Sequence, residues 1–282
     1  MRIGSMTIEA ITDGECVYPT DIAYLNKNST DWHEHGHDHW LEPCVQGNIL
    51  YQLGGYLVTY GDRVVLVDAG VGPKPTFPFV GGAMRGALLA RGVEPSDVTD
   101  VIFTHLHNDH IGWASVNGKP FFENATYRCD KRDWDFFVSP DYPMPEWEQQ
   151  FTDVTADPAA IRLAPVADRM EFFEGEASVI PGIEAWEAAG HTPGTTVLKL
   201  TDGGESAVLI GDLAHTEPEM YDDNWEFPSH TDMTQALSSV ERIRKRLFDA
   251  NLPFAAAHFA GMRFGRITSN GQGTFGYERL PR

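Results

Sequence analysis

Val101-Ile102-Phe103-Thr104-His105-Leu106-His107-Asn108-Asp109-His110-Ile111-Gly112-Trp113 sets three histidines and an aspartate within six residues, directly after an apolar, β-branched run. That run, 99–104, predicts a buried strand. Residues two apart in a strand point the same way, so His105 and His107 should project together from its carboxyl end. Asp109 and His110 follow at the turn, and Gly112 permits a close backbone approach there. Neutral imidazole and carboxylate are the ligands of zinc and similar divalent ions. Four such groups exceed what one open catalytic metal takes from a single loop, so the crowding predicts two metals.

Three later segments carry the same residue types: Gly190-His191-Thr192-Pro193-Gly194, Ile210-Gly211-Asp212 and Ala257-His258. Upstream, an apolar run ends in Val67-Asp68-Ala69-Gly70. His-X-His-X-Asp-His followed by these segments in this order resembles the signature of the metallo-β-lactamase superfamily. The resemblance runs from about Gly47 to His258, most of the chain. It implies that His105, His107 and His191 hold a first metal, that Asp109, His110 and His258 hold a second, and that Asp212 bridges them. The bridging role suits a carboxylate, which can bind two metals at once where a neutral imidazole cannot. Asp68 is then a group beneath the site that orients a ligand histidine. The implied cofactor is two Zn2+ per chain, with manganese, iron or cobalt compatible with the same donors. Such a pair, about 3.5–4 Å apart, supplies a nucleophile at neutral pH without a reactive serine or cysteine. The implied fold is an α/β (α+β) αββα four-layer sandwich, taken as one domain over 1–282.

Outward from the motif, residues 6–12 predict a first strand, and 48–60 with 63–67 a hairpin turning at Gly61-Asp62. Residues 81–91 suit a helix. An insert of about 119–175 separates the first motif from His191. Within it Cys129 to Val138 looks helical, and Pro140, Pro143, Pro145 and Pro158 break the chain beyond that helix into short pieces. Its aromatics (Trp134, Phe136, Phe137, Tyr142, Trp147, Phe151) read as core or cover, with a pocket wall or a homodimer contact as other uses. Strands at about 178–188, 195–200 and 206–210 each end near a candidate ligand, and 254–257 presents His258. Thr231 to Ala250 is the clearest helix, with Asp232 at its start and Arg242, Arg244, Lys245 and Arg246 towards its end, matching the macrodipole. The segment Asp31 to Trp40 carries His33, His35, His37 and His39, one face of an extended chain. It reads foremost as a surface loop, then as a lining over the site, and least as a structural metal site. His230 has no motif around it and reads as surface.

The bulk properties narrow the function. With 21 basic and 41 acidic residues the net charge is −20 and the pI about 4.8. Such a surface repels phosphate backbones and anionic lipid heads, so neither nucleic acid nor membrane is expected as a partner. Three cysteines, Cys16, Cys44 and Cys129, without a CxxC give neither a disulfide framework nor a thiolate metal site. The N-terminus lacks a long apolar stretch and no run approaches 18 apolar residues, which predicts a cytoplasmic protein.

The resemblance can be taken to a branch. β-Lactamases of the first subclass carry Cys where Asp212 stands. Flavo-diiron proteins carry Glu where His107 stands. Glyoxalase II enzymes add a helical domain after the last ligand, and only 24 residues, 259 to 282, follow His258. RNase Z-like and β-CASP nucleases use basic exosites or further domains. The remaining branches, which this chain resembles, are the N-acyl homoserine lactonases and the methyl parathion hydrolase group. The resemblance therefore implies a dinuclear zinc hydrolase opening lactones or cleaving esters, homoserine lactones first. Phosphotriester or arylester hydrolysis is the alternative, and a non-catalytic metal-binding domain the alternative of another class. Asp109 would handle the proton. The lactonases place a tyrosine three residues after the bridging aspartate; here that residue is His215, which can still donate a hydrogen bond to a carbonyl or leaving oxygen.

Overall fold

In the computed structural model, which describes residues 1–34, 47–75, 77–150, 152–271 and 273–281, two β-sheets pack face to face. The first runs Arg2–Ile3, Met6–Pro19, Asn48–Tyr60, Arg63–Val67, Asp100–Ile102, Thr126–Asp130 and Met170–Phe173, with Phe79–Val80 added beside Met6–Pro19. The second runs Ala177–Ile180, Ile183–Glu187, Thr196–Asp202, Glu205–Leu209, Phe254–Ala255, Gly265–Ser269 and Phe275–Arg279.

Strand alternation sorts the apolar residues into layers. Tyr56, Val58, Val65, Val67 and Ile102 face inward and meet Ile183, Ala185, Leu198, Leu200 and Leu209 of the second sheet. Their neighbours Leu57, Leu66 and Val101 face the other way, against Met84, Leu88, Phe137 and Leu163 of the helical layer. On the second sheet Val197 and Val208 face outward and are covered by Val240, Ile243 and Leu247 of the helix Met233–Asp249. Helix, sheet, sheet and helix are thus four layers, each apolar face covered by the next. This is the expected αββα sandwich.

The element boundaries differ from expectation where local chemistry intervenes. The first strand continues from Met6 to Pro19, with a register shift between Thr12 and Gly14. The shift turns the carboxylate of Asp13 inward. There it accepts five bonds, from the backbone N–H groups of Val71 (3.0 Å), Gly72 (2.9 Å), Gly82 (3.1 Å) and Met84 (2.8 Å) and from Trp113 Nε1 (2.9 Å). The helix expected over 81–91 is Met84–Leu89, since Gly82 takes a left-handed φ of 100° before it. Cys129 and Asp130 belong to a strand, and the following helix, Lys131–Phe137, starts where Asp130 caps it by accepting from Arg132 N at 2.8 Å. The 178–188 segment is two strands with a turn at Pro181-Gly182. The long helix is Met233–Asp249, capped by Asp232. Two further strands, Gly265–Ser269 and Phe275–Arg279, close the second sheet.

In the insert, Phe137 is buried, and Trp134, Phe136 and Tyr142 pack around it as cover. His35, His37 and His39 lie outside the described residues, as does the side chain of His33; so do Cys44, Phe151 and the side chain of Trp147. Trp32, from the start of that histidine-rich segment, is buried in a cluster with Tyr24 and Trp225 rather than on the surface. Among the described residues no helix is long and apolar enough to cross a membrane.

Candidate functional site

All seven candidate ligands follow the carboxyl ends of strands. Arg63–Val67 and Asp100–Ile102 are parallel neighbours in one sheet, and Glu205–Leu209 and Phe254–Ala255 in the other. Asp68, the His105–His110 loop, Asp212 and His258 leave these four strands, and His191 lies between Ile183–Glu187 and Thr196–Asp202. The strand before the motif stops at Ile102, short of the expected 104, yet His105 and His107 still turn to one point.

Two short-range features set the loops. Asp109 and His110 ride on a single helical turn, Asn108–Ile111. That turn is pinned by Ala69 N donating to His110 O (2.6 Å) and Gly112 N to Gly70 O (2.7 Å). The backbone of Val71 lies so close to Gly112 that a Cβ there would meet Val71 C at 2.0 Å. The second loop is held from the helical layer. Gly190, at φ 139°, lies against Ala236, whose nitrogen would meet an added Cβ at 2.2 Å.

The side chains then form two groups. In the first, His107 Nδ1 lies 3.0 Å from His105 Nε2 and 2.9 Å from His191 Nε2. In the second, His110 Nε2 lies 3.3 Å from His258 Nε2, and Asp109 Oδ2 is 3.8 Å from the one and 3.5 Å from the other. Asp212 stands between them. Its Oδ1 is 3.2 Å from His110 Nε2, and its Oδ2 is 3.1 Å from His258, 3.5 Å from His191 and 3.7 Å from His105. Donor atoms facing one another at about 3 Å are close to the spacing produced by bonds of about 2.1 Å to a shared ion. Asp212 Oδ1 is buried with no hydrogen-bond partner among the described residues, as a carboxyl oxygen reserved for a cation would be. The donor set therefore fits two divalent ions.

Electrostatics favour neutral His105, His107 and His191 beside a central anion. Burial lowers the pKa of His105 and His191 well below the usual range and that of His107 to about 4. For His110 burial also opposes charging, but Asp212, Asp109 and Asp68 outweigh it and raise the pKa. Asp212 is held well below the usual carboxylate range because the surrounding histidines overcome its desolvation.

Four of the five candidate ligand rings, those of His105, His110, His191 and His258, are also held from behind. Asp68 Oδ2 is 3.0 Å from His110 Nδ1, and the same carboxylate accepts from Thr104 N (2.8 Å) and Thr104 Oγ1 (2.9 Å). His258 Nδ1 is 2.8 Å from Gln52 O, and His105 Nδ1 is 3.2 Å from Thr104 Oγ1. His191 Nδ1 is 3.0 Å from His230 Nδ1. His230 is thus not a surface residue: it is half-buried against a candidate ligand, and burial lowers its pKa to about 4. Sequence reading also missed Asp133, which is buried and joins the two ligand loops. It accepts from Leu106 N (3.2 Å), Thr192 Oγ1 (2.9 Å) and Gly194 N (2.6 Å). The one available signal was an acidic residue within the stretch Cys129 to Val138 expected to be helical.

His215 does reach the site. Its Nε2 is 3.2 Å from Asp212 Oδ2, its ring stacks on Phe227 at 3.5 Å, and its backbone N–H donates to Glu219 Oε1 at 2.7 Å. Burial opposes its charging, but Asp212 and Glu219 raise its pKa to about 9. A cavity of about 270 Å³ opens onto His107, Asp109, Asp212, His215 and His258, with Tyr18, Ile22, Leu53 and Phe79 among its apolar walls. The insert contributes Glu148, hydrogen-bonded to Tyr142, and Thr152, which accepts from Asn108 Nδ2 at 3.3 Å.

Residues 55–116 match the model of the metallo-beta-lactamase superfamily. An N-acyl homoserine lactonase of Bacillus thuringiensis is 26% identical over 209 residues, 67% of this chain and 74% of that protein. One from a Bacillus species is 24% identical over 156 residues, so the chain spans about half, 53%, of that relative's length. Among solved structures, AidC, a dizinc quorum-quenching lactonase in complex with a product, covers 100% of this chain and 96% of its own at 22% identity with a TM-score of 0.83. The hydrolase AbOPH covers 100% and 97% at 23% identity with a TM-score of 0.85. The match over residues 55–116 and the shared fold liken this chain to the metallo-β-lactamase superfamily.

Proposed function

We propose that the protein is a dinuclear zinc-dependent hydrolase that opens lactones, with N-acyl homoserine lactones as its substrates. The observation that carries the reading is Asp212, whose two oxygens face the two histidine groups from between them. His105, His107 and His191 would hold the first ion, Asp109, His110 and His258 the second, with Asp212 shared between them. A pair of divalent ions bound there would supply a nucleophile at neutral pH and polarise the ester carbonyl. The residues supply the rest. Asp109 takes and returns the proton at its carboxylate, which borders the cavity. His215 donates a hydrogen bond to the carbonyl or leaving oxygen. The apolar walls exclude water and hold an acyl chain.

The test is zinc content of the purified protein together with hydrolysis of an N-acyl homoserine lactone, an aryl ester and a phosphotriester. About two zinc ions per chain and preferred ring opening of the lactone are expected. Asp212→Ala should lose most metal and nearly all activity. Preference for the phosphotriester would replace the substrate assignment. Full zinc with no hydrolysis of any of the three would favour a non-catalytic metal-binding domain.

A further inference from the structure

We infer that His230 is the positioning residue for His191: its Nδ1 accepts the Nδ1–H of His191 and so fixes the tautomer that turns Nε2 of His191 to the metal. The inference rests on the dinuclear reading above.

Nε2 of His191 points at His107 Nδ1 and Asp212, while Nδ1 points the other way, 3.0 Å from Nδ1 of His230. The two rings cross at 87° with centroids 5.2 Å apart. Two lone pairs do not face each other at that distance, so one of the two nitrogens carries a proton. A neutral imidazole that gives its Nε2 lone pair to a metal keeps its proton on Nδ1. His191 is then the donor and His230 the acceptor, and His230 keeps its own proton on Nε2.

The contact is held by main-chain bonds on both sides. Thr231 N donates to His191 O (2.9 Å), and Asp232 N donates to Gly190 O (2.9 Å). Asp232 also caps the long helix by accepting from Gln235 N at 2.9 Å. The loop carrying His230 is therefore stitched to the loop carrying His191 and anchored at a helix start. Two other candidate ligands are backed by acceptors of different chemistry: a carboxylate for His110 and a main-chain carbonyl for His258. Groups in this position orient the ligand ring and raise its basicity, and losing one typically costs about 10–100-fold in metal affinity.

The experiment compares zinc affinity, by chelator competition, in the wild-type protein, His230→Leu and His230→Asn, with the ring nitrogens of the zinc-loaded wild type observed by ¹⁵N NMR. Leucine fills the space without an acceptor; the asparagine carbonyl oxygen can take the place of Nδ1. His230→Leu should bind one of its two zinc ions about 10–100-fold more weakly, and His230→Asn should stay within a few-fold of wild type. The wild-type spectrum should show the proton of His191 on Nδ1. Wild-type affinity for both ions in His230→Leu, or a proton on Nε2 of His191, would overturn the assignment. Should His230→Leu not fold, as judged by circular dichroism, the wild-type spectrum and His230→Asn still decide. A wild type that binds no zinc would overturn the metal reading itself, a different result from zinc bound with His230 indifferent.

Discussion

Asp68 Oδ2 lies 3.0 Å from His110 Nδ1, and the same carboxylate accepts both the N–H and the hydroxyl of Thr104, the residue before His105. One buried side chain thus reaches a candidate ligand of the second metal and the neighbour of a ligand of the first. It does so from a backbone with φ 60°, a conformation that non-glycine residues adopt rarely. Asp68→Ala should therefore weaken zinc binding by about 10–100-fold. Asp68→Asn should fall between, since its amide oxygen still accepts from one side. Isothermal titration of the metal-free variants checks this, and unchanged affinity in Asp68→Ala would remove Asp68 from the site.

Asp13 predicts a stability effect far from the chemistry. Its five donors come from the segments around Val71, Met84 and Trp113. Asp13→Ala would leave buried donors without an acceptor. By analogy with breaking a buried charged network, the loss should be about 3–5 kcal/mol in urea unfolding. A loss below about 1 kcal/mol would mean that water or a rearranged loop replaces the carboxylate.

Asp133 predicts a pH dependence. Burial pushes its carboxyl up to about 7, against the pull of the donors Thr192, Gly194 and Leu106. The folded protein then holds a proton between about 4 and 7 that the unfolded chain releases. Stability therefore falls as pH rises through that window, and this contribution is fully present only below the unfolded value. Asp133→Asn cannot titrate, so the stability difference between wild type and variant should shrink as pH rises from 5 to 8. Urea midpoints at the two pH values measure it; a difference that stays constant would place the carboxyl outside the window.

The loops that carry the candidate ligands could be picked out in the sequence because their spacing is local. His105, His107, Asp109 and His110 lie within one turn of chain, and Asp212 and His258 each follow a short apolar strand. The four layers were legible because alternation and one amphipathic helix declare which faces are apolar. The groups that support the site were not. Asp13 and Trp113 are 100 positions apart, and His191 and His230 are 39 apart. Nothing near His230 marks it, because its partner is chosen by how one loop docks on another. The last two strands escaped for a related reason. Gly265–Ser269 and Phe275–Arg279 are short and carry polar residues among their apolar ones. They are strands because they pair with each other and because the first of them pairs with Phe254–Ala255.

His215 is where the sequence leaves the lactonase pattern and where the geometry allows two answers. Its Nε2 is 3.2 Å from Asp212 Oδ2, and with His191 and Asp212 it forms a group whose donor atoms lie within 4.8 Å of one another, close enough to share an ion. The ring also borders the cavity and is held by stacking on Phe227, with Glu219 behind its Nδ1 at 3.7 Å. A residue acting on substrate predicts that His215→Ala keeps both metals and loses about 10²–10⁴-fold in kcat/KM, the range for a positioned acid–base group. His215→Tyr should then retain more lactonase activity than His215→Ala, because a phenol can make the same hydrogen bond. Its ratio of lactone to phosphotriester hydrolysis should also shift. Metal content and kcat/KM for both substrate types, measured on the wild type and both variants, separate the two answers. Unchanged rates in His215→Ala would place the residue outside the mechanism. Loss of metal would make His215 an eighth ligand, and the first ion would then be the one it helps to hold, since the group it joins contains His191.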